Sequence, residues 1–253
     1  MRAALTLIDV IAAIAVLAVL AAILLVSVLR DVRKKEFNWE CGRNLEYIGI
    51  AYRMWAQEHQ GHFPASESVS NGGWKELLTN SDQGSNCWKY YAMMADELTT
   101  PRLLFCPFDE RSRATAFVTN GLPLDPALIY FKDNTPLSFF LGLGANSNDS
   151  SSILAGDRNL GLGAKPGADY GLSPATGKGN DVAIPISGPV SWSLKMHSAG
   201  NAAGAGNILL SDGSVQPVST SNLNRVWLRN APPTTNWPAG RVPATPSIRL
   251  VFP

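Results

Sequence analysis

His197, Ser211 and Asp212 carry the functional groups of a hydrolytic triad, but their surroundings point elsewhere. Asp212 precedes Gly213 and is a turn residue by type, and no G-x-S-x-G elbow holds a serine out as nucleophile. His59 and His62 stand three apart at the end of a helical pattern, where two imidazoles can share a metal ion. No cysteine or acid lies at a matching spacing, so they read as a surface pair. Asp109, Asp149, Asp157, Asp169, Asp181 and Asp212 lie in stretches rich in Gly, Ser and Asn, which can offer oxygens to a hard cation. No D-x-D-x-D-G loop is present. Structural calcium is thus a candidate cofactor without assigned residues, and solvated turn acids are the plainer reading.

Cys41, Cys87 and Cys106 cannot all pair within one chain. One disulfide with a thiol left over fits an oxidising compartment, and three buried thiols fit equally. Cys41 falls in a helical pattern, which leaves Cys87–Cys106 as the pair to test.

The remaining acid of note is Asp9, at the head of a run built to leave water. From Val10 to Leu29 there are twenty residues without charge, and only Ser27 is polar. As a helix they rise about 30 Å, the thickness of a hydrocarbon core. The run is too long for a cleaved secretory signal and passes straight into Arg30, Arg33, Lys34 and Lys35. It reads as a transmembrane anchor. Charge counting alone would put the basic, carboxyl-terminal side in the cytoplasm.

Beyond the span the helical period continues. Cys41, Leu45, Ile48, Tyr52 and Trp55 recur at steps of four and three, one apolar stripe on a helix. No proline interrupts before Pro64, and Gly61 supplies a stop. After residue 60 the pattern breaks into short apolar runs. Trp74–Leu78 reads as a short helix or turn. Leu103–Pro107, Leu137–Leu143, Ser152–Ala155 and Asn207–Ser211 with Ser214–Val218 read as strands, the last two joined at Asp212-Gly213 as a two-residue hairpin. From Ala231 onward Pro232, Pro233, Pro238, Pro243 and Pro246 predict an extended surface tail. Seven tryptophans give such a domain its core, or offer a pair for glycan stacking.

The stretch ALTLIDV resembles the processing site of type IV prepilins and of the pseudopilins of type II secretion. Ala4 occupies the last leader position, where Gly is usual, and Leu5 the first mature position. Thr6, Leu7 and Ile8 match the family triplet, and Asp9 stands where the family has Glu. Further along, C-G-R-N-L-E-Y-I-G with G-H-F-P resembles a pattern of planctomycete-type pseudopilin-like proteins, through Asn44, Leu45, Ile48 and Gly49. L-L-F-C-P-F-D resembles their C-P-S-D segment, and S-I-L-A-G-D-R-N resembles a strand ending in an acid. His197, a Gly-rich spacer and Asp212-Gly213-Ser-Val resemble their closing motif.

The resemblance implies a prepilin peptidase cutting between Ala4 and Leu5 and methylating Leu5. It implies other pseudopilin subunits as partners, with Asp9 docking against the amino terminus of a neighbour. It places the chain in the inner membrane, single-pass, with residues 61–253 in the periplasm or on the surface, overriding the charge count. Major pseudopilins carry calcium, which adds to the cofactor expectation above.

The expected organisation is a leader over 1–4, a membrane or filament-core helix over 5–29 and its soluble half over 30–60. An α+β head domain follows over 61–253, ending in the Pro-rich tail 231–253. The expected fold is pilin-like, a long helix packed on a small antiparallel sheet. The expected function is a structural filament subunit and not an enzyme; the alternative is an uncleaved anchored domain that binds glycan. Lys+Arg 21 against Asp+Glu 20 gives no reason to expect nucleic acid.

Overall fold

The computed structural model describes residues 7–79, 87–118, 125–173, 179–186, 188–198, 203–223 and 247–253. Ala4, Leu5, Thr6 and most of the Pro-rich segment lie outside these. The chain divides into two compact units, Met1–Trp39 and Glu40–Pro253.

The first unit is helical. Helix α1 runs over Leu7–Glu58, and its stretch Leu7–Leu29 is long and apolar enough to cross a membrane. None of that stretch is buried, and leucine, isoleucine and valine are exposed all round it. Beyond Asp9 its one polar residue is Ser27, which donates its hydroxyl to the carbonyl of Leu24 at 2.8 Å.

In the second unit α1 becomes one-sided. Cys41, Leu45, Ile48, Tyr52 and Trp55 are all buried, while Glu46, Tyr47, Ile50 and Arg53 face water, as the periodicity predicts. The helix ends at Glu58, three residues before the expected glycine. The amide of Gly61 donates to Ala56 O at 2.8 Å, and Gln60 takes the left-handed conformation (φ 57°) with Gly61 following it (φ 84°).

The body is α+β with a six-stranded antiparallel sheet. Its strands are β3 (Phe139–Gly142), β4 (Ile153–Asp157), β6 (Asn180–Pro185), β8 (Ala205–Leu210), β9 (Val215–Ser219) and β10 (Ser247–Phe252), in the order β6-β10-β3-β4-β8-β9. Two small ribbons accompany it: β1 (Ala116–Phe117) with β2 (Tyr130–Phe131), and β5 (Leu160–Leu162) with β7 (Val190–Trp192). Helices α2 (Cys87–Ala92), α3 (Ala95–Leu98) and α4 (Thr220–Asn222) are short.

Both faces of the sheet are covered. Phe139, Leu141, Leu209 and Val251 join the stripe of α1 in one core; Phe140, Ile208, Ile248, Leu250 and Phe252 join Trp192 and Val190 of the β5–β7 ribbon in the other. The alternation along each strand is the two-residue period of a sheet. It slips in β4, where a register shift between Ile153 and Ala155 puts Leu154 and Ala155 in the same core.

Three expectations are corrected. Leu103–Pro107 forms no strand, because Pro101–Leu104 is a 3-10 turn: Pro101 opens it and Thr100 Oγ1 accepts the Arg102 amide at 3.3 Å. The end of the presumed surface tail, Ser247–Phe252, is wholly buried and lies between β6 and β3. Its charge, Arg249, is paired with Asp181 at 2.6 Å on the adjoining strand, which is how a guanidinium enters the sheet. The Asp212-Gly213 hairpin has a three-residue loop. Leu210 still pairs with Ser214, a tight turn closes from Gly213 N to Leu210 O at 2.9 Å, and Gly213 sits at φ 82°.

Candidate functional site

Four chain segments that look unrelated in the sequence meet inside the second unit. Cys41 comes from the buried stripe of α1, and Cys106 follows the 3-10 turn at Pro101–Leu104. Asp157 ends β4, and His197 lies in a 3-10 turn, Met196–Ser198. Their ligating atoms, one per residue, all lie within 4.8 Å of one another.

The contacts are specific. Cys41 Sγ is 3.3 Å from Asp157 Oδ1, Cys106 Sγ is 3.3 Å from His197 Nε2, and His197 Nε2 is 3.4 Å from Asp157 Oδ2. Asn207 on β8 steadies the acid: its backbone amide donates to Asp157 Oδ2 at 2.6 Å and its side-chain Nδ2 at 3.2 Å. The edge of the Phe108 ring packs against the His197 imidazole, with centroids 4.8 Å apart. Cys41, Cys106 and Asp157 are fully buried, and the His197 side chain is 5% exposed.

Backbone around the cluster is held with equal care. Met196, beside His197, is a buried non-glycine residue at φ 53°, in the left-handed region that side chains disfavour by roughly 1–2 kcal/mol. Ser198 Oγ closes the turn from both sides, accepting from the Ala205 amide at 2.6 Å and donating to its carbonyl at 3.0 Å. Next to Asp157, Arg158 makes a two-pronged bond to Asp109, with both N–O distances 2.7 Å, and lies over the Tyr170 ring at 3.4 Å. The segments of Cys106 and of Asp157 are therefore joined twice, once in the cluster and once through Asp109–Arg158.

Burial sets the electrostatics. It pushes the Cys41 thiol well above its ordinary value, reinforced by Cys106 and Asp157. It also raises the Asp157 carboxyl, against the pull of His197 and Asn207. Burial disfavours charge on His197, but Asp157 and Cys106 outweigh it and hold the imidazole at about 9. Two thiols, an acid and an imidazole closed off from solvent cannot meet a dissolved substrate. They can hold a cation, or tie the segments together as a polar knot.

The other sequence-derived candidates fall elsewhere. Ser211 bonds Ser152, through its hydroxyl at 2.5 Å and to its carbonyl at 3.0 Å, and Asp212 Oδ1 accepts from the amide and hydroxyl of Ser214 at 2.8 and 2.6 Å. The triad residues thus point to separate partners: Ser211 to Ser152, Asp212 to Ser214 and His197 to Cys106 and Asp157. His59 uses both ring nitrogens on the carbonyls of Trp55 (2.7 Å) and Asn71 (3.0 Å), and His62 pairs with Glu67 at 2.7 Å. Asp109 and Asp181 are held by Arg158 and Arg249; Asp149, Asp169 and Asp212 each accept a backbone amide two residues ahead. Among the described residues, only the cluster at Cys41 groups three or more metal-capable side chains.

Cys87 and Cys106 form no disulfide, and all three cysteines are free and buried. Cys87 Sγ faces the carbonyl of Val251 at 3.5 Å, while Cys106 faces His197. The expected pair fails because α2 holds Cys87 against the last strand and the Cys106 loop turns into the cluster.

The motif residues on α1 have structural work. Asn44 Nδ2 donates to Phe105 O at 2.9 Å, fixing the residue before Cys106. Gly49 faces the β8–β9 hairpin: a Cβ there would stand 2.9 Å from Leu209 Cδ1 and 3.5 Å from Gly213 Cα. Arg53 Nη1, one turn on, donates to Asp212 O at 2.9 Å. Of the tryptophans, Trp55, Trp74 and Trp192 are core, and Trp39 is 66% exposed.

Compared with family models, with curated proteins and with solved structures, the chain has no match in any of the three.

Proposed function

We propose that the chain is a pilin-like structural subunit, a pseudopilin in kind, which assembles through its amino-terminal helix into a filament serving secretion or related transport. One observation carries this. A single helix, α1, is bare apolar surface over Leu7–Leu29 and the spine of a folded head domain from Cys41 onward. Apolar surface of that extent is stable only in lipid or against other apolar helices. A filament supplies the second environment by bundling the same segment from many copies.

The motif around Asp9 supports the same reading. Asp9 lies in the first turn of α1, where a carboxylate suits the positive end of the helix dipole and can meet the charged amino terminus of an adjacent subunit. Ala4–Leu5 is then the processing site of a prepilin peptidase and Leu5 the methylated residue. The head domain lies outside the cytoplasm, in the periplasm or on the surface, and needs no catalytic group.

Mass spectrometry of the native amino terminus tests this. A chain beginning at methylated Leu5 is expected, with filaments lost in Asp9→Ala while membrane insertion persists. An intact Met1 with the protein monomeric in the membrane would point to the anchored binding domain instead.

A further inference from the structure

We infer that Cys41, Cys106, Asp157 and His197 form a closed tetrahedral site for one zinc ion, which staples the head domain together. The number of ligands is the first reason. Four side chains of ligating type come from four separate segments, and each offers a donor atom to the same small volume. Structural zinc sites take four protein ligands in a tetrahedron, and no position is left for water or substrate.

The spacing agrees. Bonds of about 2.3 Å to sulfur and about 2.0–2.2 Å to nitrogen and oxygen give tetrahedral edges of roughly 3.3–3.8 Å. Two edges of the proposed tetrahedron, Cys41 Sγ–Asp157 Oδ1 and Cys106 Sγ–His197 Nε2, are each 3.3 Å, and all four donors lie within 4.8 Å of one another.

Hydrogen bonding alone cannot answer every contact that converges on one ring nitrogen. His197 Nε2 faces a thiol at 3.3 Å, a carboxylate at 3.4 Å and the Asn207 amide nitrogen at 3.1 Å. One ring nitrogen carries a single proton or a single lone pair, so it answers one of the three. A cation at the centre takes that lone pair and meets both sulfurs and Asp157 Oδ1 at once. Asn207 already occupies Oδ2 with two N–H groups, which leaves Oδ1 as the coordinating oxygen and supplies the outer-shell support that metal carboxylates need.

Ligand chemistry selects the ion. Two thiolates and an imidazole are soft and borderline donors, favoured by zinc, whereas calcium and magnesium take oxygen almost exclusively. Zinc takes both sulfurs as thiolates, the carboxylate and the neutral imidazole, so every proton carried by these four donor atoms leaves to solvent. The three negative charges of two thiolates and a carboxylate then face a dication, and the N–H donors of Asn207 offset the remainder. The strained turn at Met196 fits this function, since it sets His197 against the other three ligands.

The full chain in mild detergent, stripped with a chelator under reducing conditions and titrated with Zn²⁺, Co²⁺ and Ca²⁺, tests the site. Expected are one retained Zn²⁺ per chain, a rise in unfolding temperature on Zn²⁺ but not Ca²⁺, and thiolate-to-cobalt charge-transfer absorption with a tetrahedral Co²⁺ spectrum. Cys41→Ser or Cys106→Ser should each remove about half of the charge-transfer intensity, and Cys87→Ser none. The wild-type titration decides even if a variant fails to fold. Failure to retain Zn²⁺ with no thiolate–cobalt band overturns the site, as does an undiminished band in the Cys41→Ser/Cys106→Ser double variant.

Discussion

Cys106 Sγ lies 3.3 Å from His197 Nε2, across 91 residues of chain. Neither side chain is near the other in sequence, and neither could place itself. Cys106 is positioned by the turn that Pro101 begins and by Asn44 on Phe105 O; His197 is positioned by Ser198 Oγ on Ala205. A contact between two distant loops is thus set by hydrogen bonds that fix the backbone at each end, one reaching from α1 and the others local to the turn. Across the unit Glu40–Pro253, polar knots likewise tie irregular loops to a regular sheet.

Asp109 and Arg158 form the most exacting of these knots. Their side chains are 0% and 3% exposed, so neither tolerates loss of the other. Arg158→Met leaves a buried carboxylate and should destabilise the fold by about 3–5 kcal/mol. In a domain of this size that lowers the unfolding temperature by on the order of 10 °C, read by circular dichroism of the detergent-solubilised chain. Adding Asp109→Leu should restore much of the loss, because the costly species is the unpaired charge. A double variant no more stable than Arg158→Met would show that the guanidinium's packing on Tyr170 matters more than its charge.

Gly213 and Gly49 should differ in tolerance although they face each other. Gly213 is at φ 82°, and a Cβ there would overlap the guanidinium of Arg53. Gly213→Ala therefore meets both backbone strain and a steric clash, and should lower stability by about 1–2 kcal/mol. Gly49→Ala meets chiefly the end of Leu209 and gains helix propensity of about 1 kcal/mol, so its net effect should be smaller. Arg53→Ala in the Gly213→Ala background should recover the steric share only. Chemical denaturation of the three variants gives the ranking.

The helical stripe from Cys41 to Trp55 was readable because its period is local. So were β3, β4 and the β8–β9 pair, whose apolar runs end at turn residues. β10 was not, because prolines dominate its approach and Arg249 interrupts Ser247–Phe252; its partner Asp181 lies 68 residues away. The cluster was hidden for a related reason. Cys41, Cys106, Asp157 and His197 were each visible in a motif, but reading the cysteines as thiols or a disulfide kept them apart from the acid and the imidazole. Spacing along the chain reports ligand sets only when they share a loop or helix, and these come from four places.

Cys87 gives a direct check on the thiol assignment. It is fully buried on α2, and burial pushes its thiol far above the ordinary range, so little thiolate exists at neutral pH. Iodoacetamide should leave Cys87 unmodified in the folded chain and label it after denaturation. Non-reducing and reducing peptide maps should coincide, with no Cys87–Cys106 cross-linked peptide. Recovery of that peptide from freshly purified protein would restore the disulfide.

Asp212 should show its contribution through pH. The Ser214 hydroxyl and amide both donate to Oδ1, and Arg53 adds a positive charge nearby, so the folded carboxyl titrates below its ordinary value. A depressed carboxyl stabilises the fold fully above the unfolded value, about 3.9, and that gain disappears as pH falls through the folded value. Asp212→Asn keeps an oxygen for the turn but removes the charge. The wild type should therefore exceed Asp212→Asn in stability at pH 7, and the gap should close below about pH 4. Because the side chain is largely in water, the gap should stay within about 1 kcal/mol. Measuring both proteins across the same pH series cancels the titration of every other group. A gap that stays constant from pH 7 to pH 3 would mean the turn depends on the oxygen's position and not on its charge.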